Sequence, residues 1–243
     1  MKAKEEELLA ELKNYIAAAN KGKIETFLAD LYPADIAELL DELTRSELEV
    51  VTSCLPLEKI ALSIQELEFS SRKLLLKFLD AQQLKVVLNN MYADDITDLL
   101  GSLSIGQSKE LFNLMRQEEA KQIQNLLGYE EESAGGIMTT EYLAIRQERT
   151  AQQALDKIRE IATEAEMIYY IYIVDKTQTL VGVLSMRELI TAPPGAKLDK
   201  LMHRKVINVS LSRDQEVVAR MISKYDLLAM PVVNDSDQLL GII

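Results

Sequence analysis

The chain has 243 residues, 48% of them hydrophobic, and carries a net charge of −12 with a sequence pI near 4.7. That length holds one large domain or two ordinary ones, and the hydrophobic share is enough to fill a core. The acidic balance argues against nonspecific binding to nucleic acid or anionic lipid, since both recruit basic patches.

The lone cysteine, Cys54, excludes an internal disulfide and a thiolate metal cluster, and its apolar surroundings read as core. With a single histidine, His203, a zinc site of the usual Cys/His kind is nearly excluded as well; His203 itself sits at an exposed-looking position, and nothing nearby makes it a ligand. The amino terminus, MKAKEEELLA, is too charged for a signal peptide, and no apolar run approaches a membrane span. These features predict a cytosolic stretch of chain. It ends in the strand-like run LLGII with no polar tail, which reads as a fragment.

Residues 1–129 are rich in Leu, Glu, Lys and Ala and lack strand-like alternation. Positions 31, 43, 55, 67, 79, 91, 103, 115 and 127 are all Leu or Met, a spacing of twelve. LYPADIAELLDEL (31–43) and MYADDITDLLGSL (91–103) are visibly the same segment. Twelve residues hold a short helix and its turn, and such a helix must stack on its neighbours to bury its apolar face. The expectation is an all-α superhelix of short helices. Pro33, Thr44, Pro56, Ser70 and Ser104 mark first-turn or capping positions.

Within MYADDITDLL, Asp94 and Asp98 are four apart and share a helix face, with Asp95 expected to point elsewhere. Asp95 has a counterpart in Asp35 and reads as favourable first-turn charge, worth ~0.3–1 kcal/mol. Asp94 is the extra carboxylate, and its repulsion with Asp98 costs ~0.2–0.5 kcal/mol. On pattern alone, the structural reading of the trio leads.

Residues 130–136, EEESAGG, form a linker, and the composition then changes. The pattern is extended segment, helix (150–162), strand (168–175) and strand (180–185), and it recurs: IMTTEYLAI matches LMHRKVINV, TAQQALDKI matches DQEVVARMI, YIVD matches PVVN, and LVGVL matches LLGII. The boundaries are 137–195 and 196–243, with Pro193 and Pro194 at the joint. Met138 and Met202 share one repeat position and read as core. No nucleophile–base pair, phosphate loop or metal-hydrolase motif is legible, so no enzyme is expected.

The tandem repeat resembles a pair of cystathionine-β-synthase-type (CBS) modules, the second truncated. With the LYPADIAELLDEL units and the ESAGGIMTTEY junction, nearly the whole chain resembles the cytosolic region of MgtE-type magnesium transporters. The fold class expected is therefore mixed: an all-α superhelical domain followed by an α+β CBS pair.

The resemblance implies a homodimer formed through the CBS modules, on the cytoplasmic face of the plasma membrane, whose chain continues into a transmembrane domain. It also implies Mg²⁺ bridging acidic faces of the two regions and favouring a closed, compact state. The positions that match are Asp94 and Asp98 on the helical side, and Asp214, Glu216, Asp226 and the Gly136 carbonyl on the CBS side. Each has a plainer reading: Asp214, like Thr150, is a helix N-cap, Glu216 a first-turn residue, and Asp226 a helix end. Glu130, Glu131 and Glu132 read as a solvated linker face.

A second implied ligand is ATP or another adenine nucleotide, with Tyr170 stacking a base and Arg187 and Glu188 reaching phosphate and ribose. Glu188 departs from the Asp usual in CBS modules. The plain readings are a Tyr170 packed on the sheet and an Arg187 exposed on a helix. A soluble CBS-pair nucleotide sensor with no transport role is the alternative function.

Overall fold

The structure is a computed structural model that describes residues 2–161 and 168–243. It divides into two compact units, one over residues up to 91 and 95–121, the other over 92–94 and 122–243.

The helical part of the chain opens with α1 (Lys2–Ala17) and α2 (Lys21–Ala29), followed by α3 (Pro33–Asp41), α4 (Arg45–Thr52), α5 (Leu57–Ser63), α6 (Phe69–Phe78), α7 (Ala81–Leu88), α8 (Ala93–Gly101), α9 (Ile105–Phe112) and α10 (Gln117–Leu126). From α3 onward each helix begins twelve residues after the previous one. The repeated Leu/Met position falls in the turn that precedes each start. The residue after it is the cap: Tyr32, Thr44, Pro56, Glu68, Asp80 and Ser104.

Thr44 and Asp80 form full capping boxes with Glu47 and Gln83, satisfying amide groups the helix itself leaves open. Ser70, expected at a helix start, is the second residue of α6, since Glu68 takes the cap. The fourth residue of α3, α4, α5 and α8 points inward, as Ile36, Leu48, Ile60 and Ile96, all buried. In α6 that position is Arg72.

The second unit contains β1 (Ala144–Arg146), α11 (Ala151–Ile161), β2 (Tyr170–Val174), β3 (Leu180–Ser185) and α12 (Met186–Thr191). These are followed by α13 (Leu198–Leu201), β4 (Val209–Ser210), α14 (Gln215–Tyr225), β5 (Pro231–Val233) and β6 (Leu239–Ile242). Two three-stranded sheets result, ordered β1-β2-β3 and β4-β5-β6, each with a parallel pair followed by an antiparallel one. The expected helix over 150–162 is present up to Ile161; residue 162 lies outside the described residues.

The modules are interlocked. Thr139, ahead of the first sheet, pairs with Ile242 on β6, while His203, ahead of the second, pairs with Val183 on β3. Met138 and Met202 travel with these segments. Each is buried, and each packs against a glycine of the other module's last strand, Gly241 and Gly182 respectively. The hairpin turns also pair: Leu180 N donates to Asp237 O at 2.9 Å and Leu239 N to Gln178 O at 3.1 Å. Among the described residues, no helix is long and apolar enough to cross a membrane.

Candidate functional site

The acidic positions come first. Asp94 and Asp95 are second and third in α8 and half-buried, where carboxylates favour the helix dipole. Asp98 is exposed one turn on. Asp95 does not point away from Asp98: both line a cavity of about 60 Å³ with Gln65, Arg72, Met91 and Leu99. Residues three apart share a helix face as readily as residues four apart. The Gln65 side-chain amide faces the Asp95 carboxylate. Arg72 Nη2 donates to the carbonyls of Gln65 (2.7 Å) and Leu67 (3.0 Å). Arg72 thus places a cation at a position that is a buried aliphatic in α3, α4, α5 and α8, beside the Asp95 and Asp98 carboxylates.

In the second unit, Asp214 caps α14, its Oδ1 accepting from the Glu216 amide at 2.9 Å and the Val217 amide at 3.3 Å. Glu216 follows in the exposed first turn, 3.8 Å from Arg220. The 130–136 segment folds onto this end of the helix: Ala134 N donates to Arg213 O, Gly135 N to Leu211 O, and Gln215 N to Glu132 O. Gly136 ends that turn, and a Cβ there would press on the Glu130 and Glu131 carbonyls. Gly136, Asp214 and Glu216 therefore gather at one end of α14.

Asp226 does not join them. It is the left-handed C-cap (φ 50°, ψ 49°) at the far end of the same helix, ~18 Å away at 1.5 Å per residue. Among the described residues, no group of three or more Asp, Glu, His or Cys side chains could hold a metal ion. The donors are all hard oxygens, which suits Mg²⁺, an ion that keeps several waters and takes only one or two carboxylates directly.

The expected nucleotide positions lie at the open end of the β2–β3 hairpin. Tyr170 opens β2 and stands opposite Ser185 at the end of β3. Ser185 caps α12 and forms a capping box with Glu188. Glu188 Oε2 accepts from Ser185 N and Ser185 Oγ, both at 2.8 Å. Glu188 Oε1 lies 2.6 Å from His203 Nε2. These contacts, His203 first, hold the Glu188 carboxyl down at about 2. Arg187 is exposed on the same turn.

His203 is exposed, as expected from the sequence, and in addition meets Glu188. The Val183–His203 pairing delivers it to Glu188, and fifteen residues of separation leave no local signal of the contact. Tyr172, two residues beyond Tyr170, is buried, and with Tyr169, Tyr170, Ala229 and Ile242 it lines a slit between the modules with no space for a water molecule.

A short-helix superhelix followed by two interlocked βαββ modules defines a class: a helical domain joined to a CBS pair. Family models agree, one described as the MgtE intracellular N domain matching residues 31–132, and one as the CBS domain matching 134–195 and 198–243. The magnesium transporter MgtE of Thermus thermophilus is 34% identical over 98% of this chain and 54% of its own length. That of Bacillus subtilis is 35% identical over 91% and 50%. A crystal structure of the cytosolic domain of the Mg²⁺ channel MgtE in complex with ATP superposes with a TM-score of 0.92 at 34% identity, covering 97% of this chain and 96% of that one. A structure of the soluble part of a magnesium transporter gives 0.88 at 32% identity, covering 98% and 94%. The chain belongs to the MgtE family and corresponds to its cytosolic domain. It spans about half the length of the two full-length relatives.

Proposed function

We propose that the chain is the magnesium-responsive regulatory region of a magnesium transporter, on the cytoplasmic face of the membrane. In this reading it works as a homodimer through its CBS modules and acts on a transmembrane domain of the same protein. The observation that carries the reading is the match, over nearly its full length, to the cytosolic domain of a Mg²⁺ channel.

The mechanism follows from charge. The chain carries 39 acidic against 27 basic side chains. Carboxylates on α8 (Asp94, Asp98) and around α14 (Asp214, Glu216, Asp226, with the Gly136 carbonyl) repel one another when the two regions close up. A bound Mg²⁺ supplies the positive charge that reverses the sign of that term. The protein's part is to hold these oxygens on rigid helix ends, so that closing brings them within reach of a hydrated ion. Several weak sites acting together respond steeply to a millimolar-scale ion, because each adds to the same open–closed difference.

A second ligand, an adenine nucleotide, is supported by Tyr170 standing beside Ser185, Arg187 and Glu188 at the start of α12. The structurally similar MgtE domain is described in complex with ATP. Tyr170 offers a stacking face, Arg187 a phosphate partner, and Glu188 a ribose acceptor once its carboxylate turns from His203.

Small-angle scattering across a Mg²⁺ titration tests the principal reading. Compaction is expected with Mg²⁺ and not with monovalent salt at matched ionic strength, and the Asp94→Ala/Asp98→Ala double variant should need more Mg²⁺. Equal compaction by monovalent salt would reduce the effect to screening. It would leave nucleotide sensing by the CBS pair as the leading function.

A further inference from the structure

Arg72 is the fourth residue of α6, the position that carries a buried aliphatic in α3, α4, α5 and α8. The twelve-residue period asks for leucine or isoleucine here, and the chain supplies a guanidinium. A charged group at such a site gives up water and has to be held by polar partners. Its Nη2 donates to the carbonyls of Gln65 at 2.7 Å and Leu67 at 3.0 Å. Both acceptors are neutral, and its Nε is buried with no hydrogen-bond partner among the described residues. These contacts fix the charge in place without cancelling it.

What the charge faces is anionic. Arg72 lines the cavity of about 60 Å³ whose other charged residues are Asp95 and Asp98 of α8. The cavity is polar and has room for water. Gln65 forms another polar wall, exposed at the surface, with its side-chain amide facing Asp95. Asp98 is exposed as well, so an ion in solution can reach it.

We propose that Arg72 is a built-in counter-ion of α8: it offsets part of the Asp95 and Asp98 charge and so sets how much Mg²⁺ is needed before the α8 carboxylates are bridged. The inference rests on the magnesium reading above and adds to it a residue that tunes the threshold. A divalent cation approaching Asp98 meets a positive charge across the cavity, and that repulsion subtracts from its affinity. A lysine on the open surface would swing away from the incoming ion. Arg72 stays, because two carbonyls hold its guanidinium. The response is therefore set at a higher Mg²⁺ concentration than the carboxylates alone would give.

The test is small-angle scattering of the 243-residue chain across a Mg²⁺ titration at fixed ionic strength, for wild type, Arg72→Leu and Arg72→Lys. Leucine already fills the same repeat position in α4, as Leu48, so the first variant has a place in the fold. The Mg²⁺ midpoint of compaction should fall roughly three- to tenfold in Arg72→Leu. In Arg72→Lys, which keeps the charge but not the fork, it should stay within about twofold of wild type. Equal midpoints in wild type and Arg72→Leu would overturn the inference while leaving the magnesium reading intact. Equal shifts in the two variants would overturn it too, by tracing the effect to the lost carbonyl contacts and not to charge. Should Arg72→Leu fail to fold, Gln65→Lys at the exposed wall of the same cavity decides: a second cation must raise the midpoint, and an unmoved midpoint overturns the inference. If wild type does not compact with Mg²⁺, the magnesium reading itself fails and carries this inference with it.

Discussion

Glu188 shows how one residue is fixed from two directions. One oxygen closes the cap of α12 and the other meets His203. Its folded pKa, about 2, lies below the ordinary value of 4.5, so the contribution to stability is present above pH ~4.5 and lost as pH falls toward 2. The pair is well exposed, so that contribution is under ~1 kcal/mol. Replacing His203 by alanine should move the Glu188 titration, followed by carboxyl NMR, up toward 4.5. An unmoved titration would refute the ion pair. Arg72 is the other residue whose role the fold decides. Arg72→Leu restores the apolar repeat position but strips the Gln65 and Leu67 carbonyls of a charged donor. Denaturant melts should show a loss on the order of 1–3 kcal/mol, and a gain would mean the apolar position dominates.

At the scale of elements, the twelve-residue period is kept by caps as much as by core. The Thr44–Glu47 capping box stops one helix from running into the next. Thr44→Ala should cost about 1 kcal/mol, read from chemical denaturation of the first unit. The two CBS-module glycines make a paired test. The three atoms nearest a Cβ at Gly182 all belong to the Met202 side chain, the nearest at 2.5 Å. A Cβ at Gly241 meets Met138 and also the Thr139 carbonyl oxygen at 2.7 Å, which is itself held in a ladder to Ile242. A side chain can rotate aside and a bonded carbonyl cannot. Gly182→Ala should therefore cost at the low end of ~1–3 kcal/mol and Gly241→Ala at the high end; the reverse order in thermal melts would show that the methionines are the more rigid neighbours.

At the scale of the molecule, each unit has its own buried core and its own hydrogen-bonded frame. Chains of this kind unfold in more than one step. Differential scanning calorimetry should show Thr44→Ala lowering one transition and Gly241→Ala another. A single transition moved equally by both substitutions would mean that the units unfold as one. The charge balance also belongs to this scale: a net −12 opposes any compact state until cations offset it.

The periodic parts of this protein were legible from its residues alone. A leucine or methionine every twelve positions dictates a short helix and a turn, and IYYIYIVD with LVGVLS dictates strands, because side-chain periodicity and turn chemistry act over neighbouring residues. The resemblance of the junction and repeats to a known family supplied the domain order. Contacts between distant segments were not legible. The sequence does not say that Asp95 turns toward Gln65, that Arg72 replaces an inward aliphatic, or that Asp226 is an α14 length away from Asp214. Nor does it say that the modules exchange Met138 and Met202, which brings His203 onto Glu188. Such contacts depend on where separate segments meet in space, and only the packing of the finished fold selects them.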